Sequence, residues 1–244
     1  MSTSNPNTHL MLTKSKHGIF KPKAYTVVRD YSQVEPPTFN VTSMHSQWVK
    51  AMDSKHASLL KQKTWSLVPL PAGKNVVSCK WIYKIKRGSD GANARYKARL
   101  VAKGFLQQYG KDYKETFSPF VKPATMRIIL ALAVQYHWSL KQLDVSNAFL
   151  HGVLHEEVFM SQPPRYVDPA NPSHVCFLLK AVYGLKQAPM AWFESFTTQL
   201  FHLGFIASSA DSNLFILHHG SCVVYLLLFM DDIIVTGNDP SFID

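Results

Sequence analysis

The sequence is poor in cysteine, poor in acidic residues over its first half, and without a long apolar run. Its three cysteines, Cys79, Cys176 and Cys222, stand far apart with no second ligand at zinc-like spacing. An odd, scattered set supports neither a complete disulfide framework nor a structural zinc site, and reads as buried thiols of a reducing compartment. No apolar stretch reaches the ~18 residues that a membrane-spanning helix needs; the longest, around Val223 to Met230, stops at two aspartates. No membrane partner is expected. The N-terminal MSTSNPNTHLMLTKSKHG lacks the apolar centre of a signal peptide, and its basic, Ser/Thr-rich character suits a linker or a transit peptide, with the linker preferred.

The shortage of acids is local. Residues 1–110 carry 18 Lys and Arg against 4 acids, whereas residues 111–244 carry 8 against 12, within a total formal charge of +10. A basic surface neutralises phosphates and releases their counterions, while clustered carboxylates repel nucleic acid unless they hold cations. The asymmetry suggests a polyanionic partner together with a metal site; a solvated basic surface is the alternative that charge alone leaves open. With 46% hydrophobic residues in 244, the chain is long enough for one large or two small packed domains.

Residues 1–42 are rich in Ser, Thr, Asn, Pro and Lys without a sustained apolar period, and read as an extended linker. Met44, Trp48, Met52 and Leu59 then mark a helical stripe over 43–61, with Ser43 as candidate N-cap, ended by Pro69 to Gly73. From 76 to 105 apolar and basic residues alternate on both sides of Gly88-Ser89-Asp90-Gly91, the pattern of a β-hairpin. Side chains two apart share a strand face, so Lys80, Lys84 and Lys86 line one face, with Arg95, Lys97, Arg99 and Lys103 available on the return strand. Edge protection explains some lysines, but eight basic residues against one acid between Lys80 and Lys103 favour phosphate contact.

After Pro123 the spacing predicts a helix starting near Thr125, apolar enough to be buried on most sides. A strand over 139–145 follows, then an irregular Pro-rich connection over 162–172. A second helix is expected over 189–203, closed by Gly204. Last comes SCVVYLLLFMDDIIVTG, two apolar strands with Asp231 and Asp232 at or near the hairpin tip. Alone, that acidic pair reads as a turn. Asp144, at the end of another expected strand between Leu143 and Val145, changes the reading. Carboxylates between apolar strands need hydrogen bonds, a cation or a raised pKa. Asp144 and Asp231 at neighbouring strand ends could hold two Mg²⁺ ions, which prefer hard oxygen ligands and support nucleotidyl transfer; spacing alone does not establish that they converge.

The strings RYKARLVAKGF (95–105), QLDVSNAFLHG (142–152), QPP (162–164), AVYGLKQAPMAWF (181–193) and LLLFMDDIIVTG (226–237) resemble, in order and spacing, the copia-type reverse transcriptases of plant retrotransposons. HLMLTKSKHGIFKPK (9–23) resembles the linker joining integrase to reverse transcriptase in their polyproteins. The resemblance implies an α+β fold, the fingers and palm of a polymerase right hand with an antiparallel palm sheet packed on helices. Fingers would occupy about 43–123 and 151–184, and palm about 124–150 and 185–244. It implies an RNA-directed DNA polymerase that uses Mg²⁺, or Mn²⁺, with a template-primer and deoxynucleoside triphosphates as partners. On the matching positions, Asp144, Asp231 and Asp232 are catalytic metal ligands, with the Val145 carbonyl as a further oxygen. Phe149 falls where the family places the ring that excludes a ribose 2′-hydroxyl, its alternative being ordinary packing. Gly184, Lys186 and Pro189 lie in the segment against which template and nucleotide pack. Lys97, Arg99 and Lys103 are candidates for the triphosphate, and Lys80, Lys84, Lys86, Arg95, Phe229 and Met230 for the nucleic acid.

Three departures accompany the resemblance. Phe229-Met230 replaces the usual Tyr-Val before the aspartates, Met190 stands where Arg is common, and Lys55 replaces a Glu of the first helix on a face expected to be exposed. After Thr236-Gly237 the sequence runs only to Asp244, so the expected reading is a fragment lacking thumb and ribonuclease H. Weak or absent activity, exposed apolar surface and self-association through it would follow. A non-catalytic nucleic-acid-binding remnant is the competing reading.

Overall fold

In the computed structural model, residues 31, 33–88 and 93–243 are described. The expected Gly88–Gly91 turn and most of the 1–42 lead-in, including the 9–23 block, fall largely or wholly outside them. Within the lead-in, Phe39–Thr42 forms the short helix α1, capped by the Thr38 hydroxyl, which accepts from Val41 N. The stretch expected to be linker therefore ends in ordered, packed chain: Thr42 is buried, and the Trp48 indole donates to the Tyr31 carbonyl at 2.9 Å. Helix α2 is Ser46–Lys61, entered through His45 without a side-chain cap. Ser43 is not its N-cap, because that residue already closes α1.

Next come β1 (Trp65–Val68), β2 (Val76–Val77), β3 (Cys79–Arg87) and β4 (Asn93–Ala102). The last two form the expected hairpin, and its register explains its two faces. Trp81 stands opposite Leu100, and Tyr83 opposite Ala98; all four are buried. Lys84 stands opposite Lys97 and Lys86 opposite Arg95 on the other face. Alternation thus puts every apolar pair inward and every cationic pair outward. Trp48 and Met52 of α2 pack beneath this hairpin, with Tyr83 and Tyr96 edge-on to the Trp48 ring.

Helix α3 (Pro123–Gln135) begins with proline at its first turn, where a missing N–H costs nothing. It leads into β5 (Ser139–Asp144). The helix is less enclosed than its sequence suggests. Ile129 and Ala133 are buried, but Ile128 is 60% and Val134 75% exposed, since one stripe packs on a sheet and the other meets nothing among the described residues. Strands β6 (Phe159–Met160) and β7 (Val175–Leu178) flank the Pro-rich connection. That connection is irregular as expected, and the buried Gln162 amide holds it by donating to the Asn171 and His174 carbonyls. Helix α4 (Ala188–His202) is followed by β8 (Ile206–Ala207), β9 (Leu214–His219), β10 (Cys222–Phe229) and β11 (Asp232–Gly237).

The fold is mixed α and β, with few helices set against sheets. Five strands in the order β5-β11-β10-β9-β8 form one antiparallel sheet; β1-β7-β6-β2 form another, and β3-β4 stand as a pair. The unbroken apolar run of β10 has a physical reason. Leu226 and Leu228 face Leu200 of α4, while Leu227 faces Ile129 of α3, so both faces of the strand are covered. A strand buried on both sides has no use for polar alternation.

Candidate active site

The pairing of β11 with β5 sets the site. Their antiparallel register runs from Gly237 opposite Ser139 to Asp232 opposite Asp144, so the two carboxylates finish side by side at one end of the sheet. The ladder continues one step further, with Val145 N donating to the Asp231 carbonyl at 2.8 Å. Phe229 pairs with Asp232, leaving Met230 and Asp231 as the two-residue tip. Met230 has φ +58, a conformation that L side chains adopt at a cost. Two hydrogen bonds hold it there: Met230 N donates to the Pro119 carbonyl at 2.8 Å, and the Trp192 indole of α4 donates to the Met230 carbonyl at 3.0 Å. The Phe229 ring lies edge-on to Phe120 at 4.6 Å and remains 40% exposed.

Asp144 is exposed, and Asp231 and Asp232 are partly exposed. Gln142 Nε2 donates to Asp232 Oδ1 at 3.3 Å. Among the described residues no three His, Cys, Asp or Glu side chains are grouped so that they alone could hold a metal ion. The donors present are hard carboxylate oxygens, with the Val145 carbonyl beside them already accepting from Ala148 N. That set fits a divalent cation bound by one or two carboxylates and completed by water or substrate phosphate, rather than a closed protein cage.

Around the carboxylates the chain is shaped by close backbone contact. Gly184, at φ +90, lies so near β4 that an added Cβ would stand 2.1 Å from the Ala102 carbonyl oxygen, and Gly104 approaches the Gly184 carbonyl just as closely. Next to it, Ala102 N donates to the Tyr183 carbonyl. Lys186 is engaged locally: its ammonium donates to the Tyr113 hydroxyl at 2.9 Å and sits 4.4 Å from the centre of that ring. Gln107 accepts from Lys186 N and donates to Gln187, whose amide donates to the Asp112 carbonyl. This buried amide chain fixes the 184–187 segment. Phe149 follows Asp144 in the 3₁₀ turn Ala148–His151, is 7% exposed, and meets the Tyr183 ring edge-on at 4.7 Å.

The basic residues divide into two groups. Lys80, Lys84 and Lys86 are exposed along β3, and Lys84 faces Glu35 at 3.5 Å. Lys97 and Arg99 instead line a cleft of about 470 Å³ between α2, β4 and the Ser146-Asn147 turn, with Arg95 at its border; Lys103 stands beyond the strand end and outside the cleft lining. Burial, then Arg99, Lys86 and Arg95, lower the Lys97 pKa, and Asp144 opposes them. The cationic cleft thus opens within electrostatic reach of the carboxylates.

Three residues of this neighbourhood escaped the sequence reading. Lys55 was expected on an exposed face of α2; it is half-buried in the cleft, where its ammonium donates to Asn147 Oδ1 at 2.7 Å. Its helical spacing, three residues after the buried Met52, was the available signal. Asn147 itself is left-handed at φ 59, a conformation asparagine tolerates. Tyr183 is raised in pKa by burial and then by Asp231, with Asp144 adding and Arg99 opposing, which puts its hydroxyl in the field of the carboxylates.

Comparison with known proteins gives the family. Residues 62–244 match the family described as reverse transcriptase (RNA-dependent DNA polymerase). The chain is 46% identical over 240 residues to the retrovirus-related Pol polyprotein from transposon RE1 of Arabidopsis thaliana, covering 97% of this chain and 16% of that protein. It is 47% identical over 236 residues to the Pol polyprotein from transposon RE2 of the same plant, covering 96% and 16%. With that from transposon TNT 1-94 of Nicotiana tabacum it shares 39% over 213 residues, covering 86% and 16%. The chain therefore spans about a sixth of these curated relatives, and it belongs to the reverse transcriptase family, as a domain of the copia-type Pol polyprotein kind.

Proposed function

We propose that this chain catalyses RNA-directed DNA synthesis, adding deoxynucleotides to a primer 3′-hydroxyl by two-metal nucleotidyl transfer. The observation that carries the reading is the β5–β11 register, which brings Asp144 beside Asp232 with the Asp231 carbonyl bonded to Val145 N. Asp144, Asp231 and Asp232, with the Val145 carbonyl, would hold Mg²⁺ or Mn²⁺. When bound, such ions lower the pKa of the attacking hydroxyl and stabilise charge on the transferred phosphate. The five-stranded sheet with α3 and α4 serves as palm, and α2 with the β3–β4 hairpin as part of the fingers.

The protein's own groups supply position and charge. Lys97 and Arg99 take the triphosphate, the guanidinium offering paired donors to phosphate oxygens. Phe149, backed by Tyr183, closes the sugar side and rejects a 2′-hydroxyl, while Gly184 and the Lys186 segment form the floor for the template base. Phe229 and Met230 touch the primer terminus. The outward lysines of β3, together with Arg95, bind template phosphates.

Primer extension on an RNA template with Mg²⁺ or Mn²⁺ tests this. Asp144→Ala and Asp231→Ala are each expected to reduce extension on the order of 10²-fold or more, as loss of a metal ligand removes several kcal/mol of transition-state stabilisation. The cationic β3 face supports a second reading, a nucleic-acid-binding remnant. Salt-sensitive template binding with no synthesis in the wild type, and no change in either variant, would establish that reading instead.

A further inference from the structure

The cleft between α2 and β4 gathers Lys50, Lys55, Arg95, Lys97 and Arg99 around Asn147, and no Asp or Glu is among its lining residues. No ion pair joins any of the five to a carboxylate within 4.0 Å among the described residues; the ion pairs found there are Lys74–Glu157, Lys84–Glu35 and Arg165–Asp53. Like charges gathered in a partly buried space without a counter-charge are unfavourable. Lys55 bears most of that cost: burial, followed by Lys97 and Arg99, brings its pKa down to about 8. An ammonium has three donors, and the Lys55 head is anchored by giving one to Asn147 Oδ1. Asn147 is three residues beyond Asp144, and Lys97 of the same lining feels the Asp144 charge, so the cleft and the carboxylates are electrostatic neighbours.

We propose that Lys55 is a specificity-determining residue for the polyphosphate tail of the incoming nucleotide, completing with Lys97 and Arg99 a three-cation seat in which Asn147 holds the Lys55 ammonium in place. The inference deepens the polymerase reading by naming an additional ligand from α2, outside the hairpin. The ligand is a terminal phosphate group, not the base or the sugar: the lining is cationic and polar, with Ser54, Ser58 and Ser146 adding hydroxyl donors. A volume near 470 Å³ suits the tail of one nucleotide rather than a strand. Lys50 and Arg95, also in the lining, supply the surrounding positive field.

The test separates the seat from the chemistry. Inorganic tripolyphosphate is titrated calorimetrically into the full chain without divalent metal, beside Lys55→Gln, Lys55→Arg and Lys55→Glu. Lys55→Gln is expected to weaken binding about tenfold, the loss of one charge-assisted hydrogen bond. Lys55→Arg should hold within a few-fold, and Lys55→Glu should fall about a hundredfold or more as a carboxylate engages Arg99. Thermal melts certify folding, and Lys55→Gln against Lys55→Arg suffices if the Glu variant does not fold. Wild-type affinity in Lys55→Gln overturns the proposal. So does an equal loss for a single-stranded oligonucleotide with none for tripolyphosphate, which would make Lys55 a strand contact. Asp144→Ala should leave metal-free tripolyphosphate binding in place. Absent primer extension in a wild type that binds tripolyphosphate through Lys55 therefore sinks the polymerase reading alone, and normal extension with unchanged Lys55→Gln binding sinks this inference alone.

Discussion

The strand-end carboxylates and the basic cleft lie next to one another and are built in opposite ways. Asp144, Asp231 and Asp232 are exposed or partly so, and their meeting is a matter of register between two neighbouring strands. The cleft draws on residues 47–58, 95–99 and 146–147, a helix, a strand and a turn that no register aligns. Charges at the open end of a sheet stay solvated, whereas cations enclosed between a helix and a strand repel one another and lose hydration. The acidic region is thus assembled by hydrogen-bond geometry, and the basic one by packing against it. Gly184 lets the 181–187 segment approach the end of β4 at Ala102.

The largest effect should come from the carboxylates themselves. Asp144→Ala and Asp231→Ala are expected to reduce primer extension by roughly 10²-fold or more while leaving the melting temperature nearly unchanged, since exposed aspartates contribute little to stability. A large drop in stability would show that the acidic end is structurally required, as the enclosed cleft is. Gly184→Ala should come next, costing about 3 kcal/mol of folding free energy by urea titration, because a Cβ at positive φ meets the Ala102 carbonyl. A change under about 1 kcal/mol would mean that the 181–187 segment shifts to accommodate the methyl group.

Trp192→Phe tests how the tip is held. It removes the donor to the Met230 carbonyl and should cost about 1–2 kcal/mol, with primer extension reduced in proportion to a loosened tip. Unchanged extension in that variant would show that the β10–β11 ladder and the Met230 N bond to the Pro119 carbonyl suffice to keep Met230 in its left-handed conformation.

The smallest effect, and the sharpest for the cleft, concerns pH. In the folded protein Lys55 is lowered to about 8, chiefly by burial, from its ordinary 10.5. Between these values the unfolded chain binds more protons, so this residue makes stability rise with pH across that window. Below it, Lys55 is charged in both states and the folded protein bears the full cost. Lys55→Met removes the dependence. Its stability relative to wild type should therefore be greatest near pH 7 and shrink as pH approaches about 10, measured as the difference in urea midpoints. A difference that stays flat with pH would place the Lys55 ammonium in water, outside the cleft.

The β3–β4 hairpin was legible because its basic and apolar residues alternate with a period of two; which residues face each other across it came only from the register. The α4 span and the β10–β11 tip were legible from Trp192, Leu200 and the apolar runs around Asp231. The start of α2 was not, since Thr38 captures a preceding turn and Ser43 is spent closing it. The exposure of α3 was hidden too: its sequence is apolar on all sides, and composition does not say which sides find partners. Lys55 escaped because a lysine on a helix is ordinarily solvated, and nothing within α2 tells that Asn147 and β4 lie over it.

By itself the sequence determined the β3–β4 hairpin and its basic face, β5, the β10–β11 pair, the three longer helices and the residue types of the acidic site, all of which depend on spacing within one segment. Tertiary structure alone decided that Asp232 faces Asp144 across β11 and β5, that Trp192 donates to Met230, and that Lys55 shares a cleft with Lys97 and Arg99. Local periodicity fixes which way a side chain points from its own element. What it points at depends on how distant elements pack, and that is set by burial summed over the whole core.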